Sequence, residues 1–373
     1  NAYDGQIGIG TSALASLTTG AGNTAVGYTA MNDLVDGARN TAIGYNAFGG
    51  TFADTTADGS TDNTFIGHNA GSGNWTTATS LYNVGIGSGV MTGAMQGAGE
   101  NIGIGYEALA ALTTGDENIV IGFQSGDAVT TQSSLVLIGR RAGGAINDNA
   151  ADGTVAVGKS ALEALTSGAG NTAVGYQAGL AIADDSYNTV IGYQAGSATI
   201  GDGNTYVGHF AGKGTSGADA NNVGVGKDAL TAITTGVENV CIGKDAGTAI
   251  TTANQTVLIG TDAGQAITIA QSGFLSDGTV AIGLNALKYC TTGHGNLAVG
   301  AHTLHNHTTG SRNMAIGYGA MNDTDAGTNT LASIDNIFIG YGAGGGPWGE
   351  TDSDSDSNYN VGIGNYVMDA AMD

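Results

Sequence analysis

Proline is nearly absent, with one residue in 373, and only 11% of the residues are charged, against about 25% in ordinary soluble domains. Disorder is excluded, because 41% of the residues are hydrophobic and they fall at fixed positions. No apolar run approaches the ~18 residues of a membrane helix. The apolar runs are also about half the ~10-residue alternating segments of a membrane β-barrel. Positive charge is scarce: 9 Lys+Arg stand against 32 Asp+Glu, a net charge of −23. Such a surface repels phosphate backbones, which argues against nucleic-acid binding. It favours solubility and loose attraction of divalent cations.

Cysteine is limited to Cys241 and Cys290. In the repeat described below they lie two coils apart, about 10 Å along the axis at ~4.8 Å per strand. That separation is too great for an intrachain disulfide, so both read as small buried residues. Asn1 rather than Met opens the sequence. With no signal-peptide or lipidation pattern, this reads as a processed product or a piece of a longer polypeptide.

What is abundant is glycine, 67 residues, and it is periodic. The unit Asn-x-x-(Val/Ile)-Gly-x-x-Ala-(Gly/Leu) recurs about twenty times at roughly 17 residues, stretched in places to about 23, a spacing typical of solenoids. Asn23, Val26, Gly27 and Ala30 carry one copy; Asn171, Val174, Gly175 and Ala178 carry another. The residues one and three before the central Gly are Val, Ile, Thr, Leu or Met. They share a face of a short strand, which is expected to pack inward. The position between them varies from Gly85 to Phe65 and is expected to face solvent or another chain.

The central Gly implies φ > 0 or an approach too close for a Cβ. Ala three residues later implies a tight corner. An apolar residue seven after the Gly, as at Leu34, Leu112 and Ile250, marks a second inward segment. The Asn side chains are expected to stack as a hydrogen-bonded ladder, interrupted at Leu135, Thr154, Thr256 and Thr279. A helix is excluded. A Gly every ~17 residues costs about 1 kcal/mol each, and the apolar period is not 3.6.

The fold class is therefore all-β: a parallel β-solenoid of about twenty coils, one continuous repeat domain over 1–373, with a shaft on the order of 95 Å. Insertions stretch the period near 49–62, 72–82, 92–100, 265–278, 322–335 and 345–359. Such loops are candidates for binding.

Residues 23–30, 40–47 and 171–179 carry a resemblance. They are similar to the head repeats of trimeric autotransporter adhesins and, more closely, to the Gly-rich repeats of bacteriophage tail fibres. The resemblance implies a left-handed β-roll with three chains around a threefold axis. It implies a non-enzymatic fibre or spike segment for host-surface attachment, located in the virion or at the cell surface. A bacterial surface adhesin head is the alternative. A structural extracellular filament subunit without a receptor is another. The partners expected are two further copies of the chain and a host or cell-surface receptor, a glycan being one candidate. Neither nucleic acid nor membrane insertion is expected.

Local chemistry is sparse. Glycine pairs such as Gly85 and Gly87 mimic a nucleotide loop, but no helix follows and the pattern recurs everywhere. No nucleophile elbow, His-Glu-x-x-His or paired acids stand out. His305 and His307 are two residues apart. In a trimer they would supply six imidazoles, enough for octahedral ligation of a transition metal on the axis. The plainer reading is a polar break in the ladder, since His307 occupies a position held elsewhere by Leu or Ile. The run from Asp352 to Asp356 offers carboxylates to Ca²⁺ but lacks the turn Gly and terminal Glu of an EF-hand loop; a solvated acidic loop is the simpler account. Trp75, Tyr82, Trp348 and Tyr359 lie in or beside insertions. There they either stack on sugars or pack loops onto the roll. No cofactor is otherwise called for.

Overall fold

The computed structural model describes residues 5–50, 59–75, 78–198, 200–214, 217, 219–268, 278–324, 333–347 and 358–370. The chain divides into two compact units, Asn1–Tyr187 and Asn188–Asp373. Each is a parallel β-solenoid. Among the described residues the first unit has ten three-residue strands, from Ile7–Ile9 to Thr172–Val174, and the second has ten, from Thr189–Ile191 to Val361–Ile363. In the first unit each strand pairs in parallel with the next, as Ile7↔Thr24 and Thr24↔Thr41 show. The same holds in the second, as in Val240↔Val257. The regular helical content among the described residues is one 3-10 turn, Asn149–Ala151. No helix there is long and apolar enough to cross a membrane.

Strand orientation corrects the sequence expectation. The middle residue of the strand points inward, and the β-branched pair points out. Ala25, Phe65, Tyr206, Cys241 and Leu258 are all fully buried, whereas Val26 is half-buried and Ile43, Val174 and Ile242 are exposed. The physical reason is the width of the coil. Opposite the strand, the interior already holds the residue seven after the Gly (Leu34, Leu112, Ile250), fully buried as expected. One side chain per three-residue strand fills the space that remains.

The size of that one side chain is matched by the residue four after the Gly. Where the strand's middle residue is small, Leu, Met or Phe stands there: Ala25 with Met31, Ala42 with Phe48, Gly103 with Leu109, Ala281 with Leu287. A large middle residue is met by Gly: Phe65 with Gly71, Leu137 with Gly143, Tyr206 with Gly212, Phe338 with Gly344. A Cβ on those glycines would lie 2.7, 2.7, 2.2 and 2.7 Å from the partner ring or branch. Ala173 with Gly179 departs from the rule. The position is left-handed in either case, φ +52 at Leu109 and +64 at Gly71. That conformation costs a non-glycine residue roughly 1–2 kcal/mol, which burial of a Leu, worth about 1.5–3 kcal/mol, offsets.

The central glycines stack. Gly105 has φ +136, and a Cβ there would stand 2.3 Å from the carbonyl oxygen of Gly122. Both reasons for glycine therefore apply.

Beside them runs the Asn ladder. Asn101 donates from Nδ2 to Asn83 Oδ1 at 3.0 Å and to the Gly115 carbonyl at 2.8 Å. Its Oδ1 accepts the backbone N–H of Asn118 at 3.0 Å and Asn118 Nδ2 at 2.9 Å. Asn23 and Asn171 occupy the same site, donating to the carbonyls of Gly37 and Asp185 at 2.7 and 2.8 Å. At Thr256 a hydroxyl replaces the amide and donates to Asn239 Oδ1 at 2.8 Å. These bonds satisfy buried polar groups that would otherwise each cost about 1–3 kcal/mol.

Candidate binding surfaces

Two surfaces of the coil are open to solvent and chemically distinctive. The first is the outward face of the strands. In the first unit one row runs from Ile7 through Thr24, Val84 and Ile119 to Thr172. The other runs from Ile9 through Val26, Ile86 and Ile121 to Val174. No charged residue interrupts either row, and the same is true of the second unit. Most mid-row residues are half-buried, and a minority are more than a third exposed, among them Ile119 at 40% and Ile282 at 38%.

The second surface is the position just after the central Gly. It carries rings that stack from coil to coil: Tyr28 on Tyr45 at 5.2 Å, Tyr45 on His68 at 5.3 Å, Tyr106 on Phe123 at 5.1 Å and Tyr318 on Tyr341 at 5.3 Å. Cations cover other ring faces. Arg140 lies 5.5 Å from the centroid of Phe123, and Lys159 lies 5.4 Å from that of Tyr176, an arrangement favoured by the ring quadrupole. The sequence reading missed this row. Its signal was the recurrence of Tyr, His and Phe directly after the Gly.

The histidines do not converge. His307 is fully buried inside the coil. Its Nδ1 lies 2.9 Å from Thr324 Oγ1, and its Nε2 lies 3.2 Å from Asn313 Nδ2. Both ring nitrogens thus lie within hydrogen-bond distance of polar side chains inside the coil. His305 sits on the other side of the backbone against Tyr289 and His302, with ring centroids 5.0 and 5.4 Å away. Burial and the neighbouring His302 hold its pKa below the ordinary value. A metal on an axis outside the chain would not be reached by His307. Among the described residues no group of three His, Cys, Asp or Glu is placed to hold a metal.

Trp75 is also corrected as a sugar platform. It is fully buried, stacked edge-on against Phe48 at 4.7 Å and Phe65 at 5.9 Å, and its indole N–H donates to the Gly71 carbonyl at 3.1 Å. Tyr82 is exposed and lines a cleft of about 250 Å³ with Glu100, Asp116 and Glu117. Tyr359 is exposed. Trp348 and the run from Asp352 to Asp356 lie outside the described residues.

The strongly perturbed titratable groups are internal. Tyr206 donates its hydroxyl to the Asp219 carboxylate, and burial raises the pKa of both. Burial likewise raises the Cys241 thiol. Cys241 and Cys290 are both free and buried. No protein-family model matches the chain, and no curated protein matches it.

Proposed function

We propose that the chain is a segment of a non-enzymatic homotrimeric attachment fibre of the phage tail-fibre type, built as a left-handed β-roll. The observation that carries the reading is the pair of charge-free β-branched rows. Ten coils in the first unit set out twenty such side chains in one contiguous strip; six of them are exposed and the rest half-buried. Monomeric proteins rarely expose contiguous apolar patches beyond a few hundred Å², and a stable interface buries about 800 Å² per partner. A second copy of the same chain offers the same rows at the same ~4.8 Å spacing. The resemblance of the repeats to those of trimeric fibres is what supports three chains. Three copies side by side present every weak surface site three times, which raises attachment strength by avidity.

Immunogold labelling of the producing culture with an antibody against residues 5–50 tests the assignment. Gold on the fibres of virus particles is the expected result. Gold confined to the cell surface would replace it with the adhesin reading, and gold along free filaments with the structural-subunit reading.

A further inference from the structure

The ring row has one vacancy with a ring face on either side of it. His68, Ser88 and Tyr106 occupy equivalent positions in three successive coils. The strands before them pair as Ile66↔Ile86 and Ile86↔Ile104. The stack continues past the strands, where Gly89 N–H donates to the His68 carbonyl and Glu107 N–H to the Ser88 carbonyl, both at 3.0 Å. His68 is stacked on Tyr45 and Tyr106 on Phe123, with interplanar angles of 17° in each pair. Each therefore turns its other face toward Ser88. The small residues Ser88 and Gly89 form the floor, and the opening is a cleft of about 450 Å³ that also takes in Asn69 and Glu107.

The geometry points to this slot as a binding site for a neutral hexopyranose ring of a surface glycan. Two coil steps separate the flanking rings by roughly 9.5 Å. A flat aromatic guest needs only about 7 Å between two faces, at 3.5 Å per contact. A chair pyranose is thicker, because its carbons and axial hydrogens stand above and below its mean plane, and it fills the gap in apolar contact with both rings at about 4–4.5 Å. Its hydroxyl edge meets the polar rim. Glu107 is fixed there by Gln124 Nε2 at 2.8 Å and by the Tyr106 hydroxyl, and a carboxylate with about four lone-pair sites still accepts from a sugar. The net charge of −23 and Glu107 itself select against acidic sugars. The inference deepens the attachment reading and rests on it for its biological purpose. The slot itself lies within one chain.

Saturation-transfer NMR on the full chain tests it, with methyl β-glucopyranoside, methyl β-galactopyranoside, methyl α-mannopyranoside, glucuronate and p-cresol as probes. At least one neutral glycoside is expected to bind with a millimolar Kd, and Ser88→Tyr, which restores the ring carried by other coils, is expected to weaken it at least tenfold. Circular dichroism checks that the Ser88→Tyr chain stays folded, and Tyr106→Ala, which removes one wall, gives the second variant. No transfer to any glycoside, stronger binding of p-cresol or glucuronate, or transfer unchanged in both variants overturns the assignment. Molar mass measured on the same samples separates the two readings. Sugar binding by a monomer keeps the slot and removes the fibre; a trimer without sugar binding removes the slot alone.

Discussion

A Cβ on Gly264 would stand 2.7 Å from Cδ1 of Leu258, the fully buried middle residue of its own coil's strand. The next coil solves the same packing problem in reverse, with Ala281 in the strand and Leu287 at the glycine's position. Most coils thus hold one large side chain at one of two sites, the coil of Ala173 and Gly179 excepted.

This exchange predicts compensation. Leu258→Ala leaves a cavity and costs about 2–5 kcal/mol. Gly264→Leu overpacks and costs about 1–3 kcal/mol beyond the left-handed backbone cost. The double variant rebuilds the neighbouring coil's arrangement and recovers about 2 kcal/mol or more relative to the sum of the two. Urea denaturation of the four proteins measures it, and strict additivity would contradict the packing rule.

Stacked glycines predict a steep positional contrast. Gly105→Ala places a methyl against the Gly122 carbonyl and is expected to cost at least about 3 kcal/mol. Gly319 is also left-handed, φ +60, but a Cβ there meets nothing within 4 Å. Gly319→Ala is therefore expected to cost about 1–2 kcal/mol. Thermal unfolding of both variants under one condition decides it.

At the Asn ladder, Asn101→Ala removes four side-chain hydrogen bonds and strands their buried partners. The expected loss is about 3 kcal/mol or more. Asn101→Thr copies the hydroxyl solution seen at Thr256 and should lose less than half as much. Equal losses would show that the Asn position is held by shape rather than by its hydrogen bonds.

Asp219 predicts a pH dependence of definite sign. Burial raises its folded pKa above the ordinary 3.8, so between those two values the folded chain binds more protons than the unfolded one. This contribution to stability is present in acid and is lost as pH rises through the folded pKa. Asp219→Asn keeps an acceptor for Tyr206 and removes the ionisation. Its stability relative to the natural chain should rise with pH through that window and then level off. A relative fall would contradict the assignment.

Much of the coil was legible in the sequence because each signal has one physical cause. Glycine is required where a neighbouring carbonyl leaves no room, as at Gly105. Asn recurs because its amide matches the ~4.8 Å coil spacing, and Leu112 recurs because it fills the interior. The orientation of the strand was not legible from alternation alone. A period of two assigns Val26 and Thr24 to one face without saying which face is inside. The deciding signal was the inverse size relation between positions such as Phe65 and Gly71, visible in the repeat unit only as the Gly/Leu alternative and not as a volume constraint. His307 and Trp75 were misleading for one reason. Polar and aromatic side chains at breaks in a pattern can be satisfied internally, here by Asn313 and Thr324 and by the Gly71 carbonyl.

The outward β-branched rows make self-association the central claim, and molar mass by light scattering tests it most directly. The account predicts about 110 kDa, three times 36.6 kDa, at micromolar concentration. It also predicts a fall to 36.6 kDa when Ile104 and Ile121 on the outward row are both replaced by Lys. A natural chain that remains at 36.6 kDa across the accessible concentration range would contradict it.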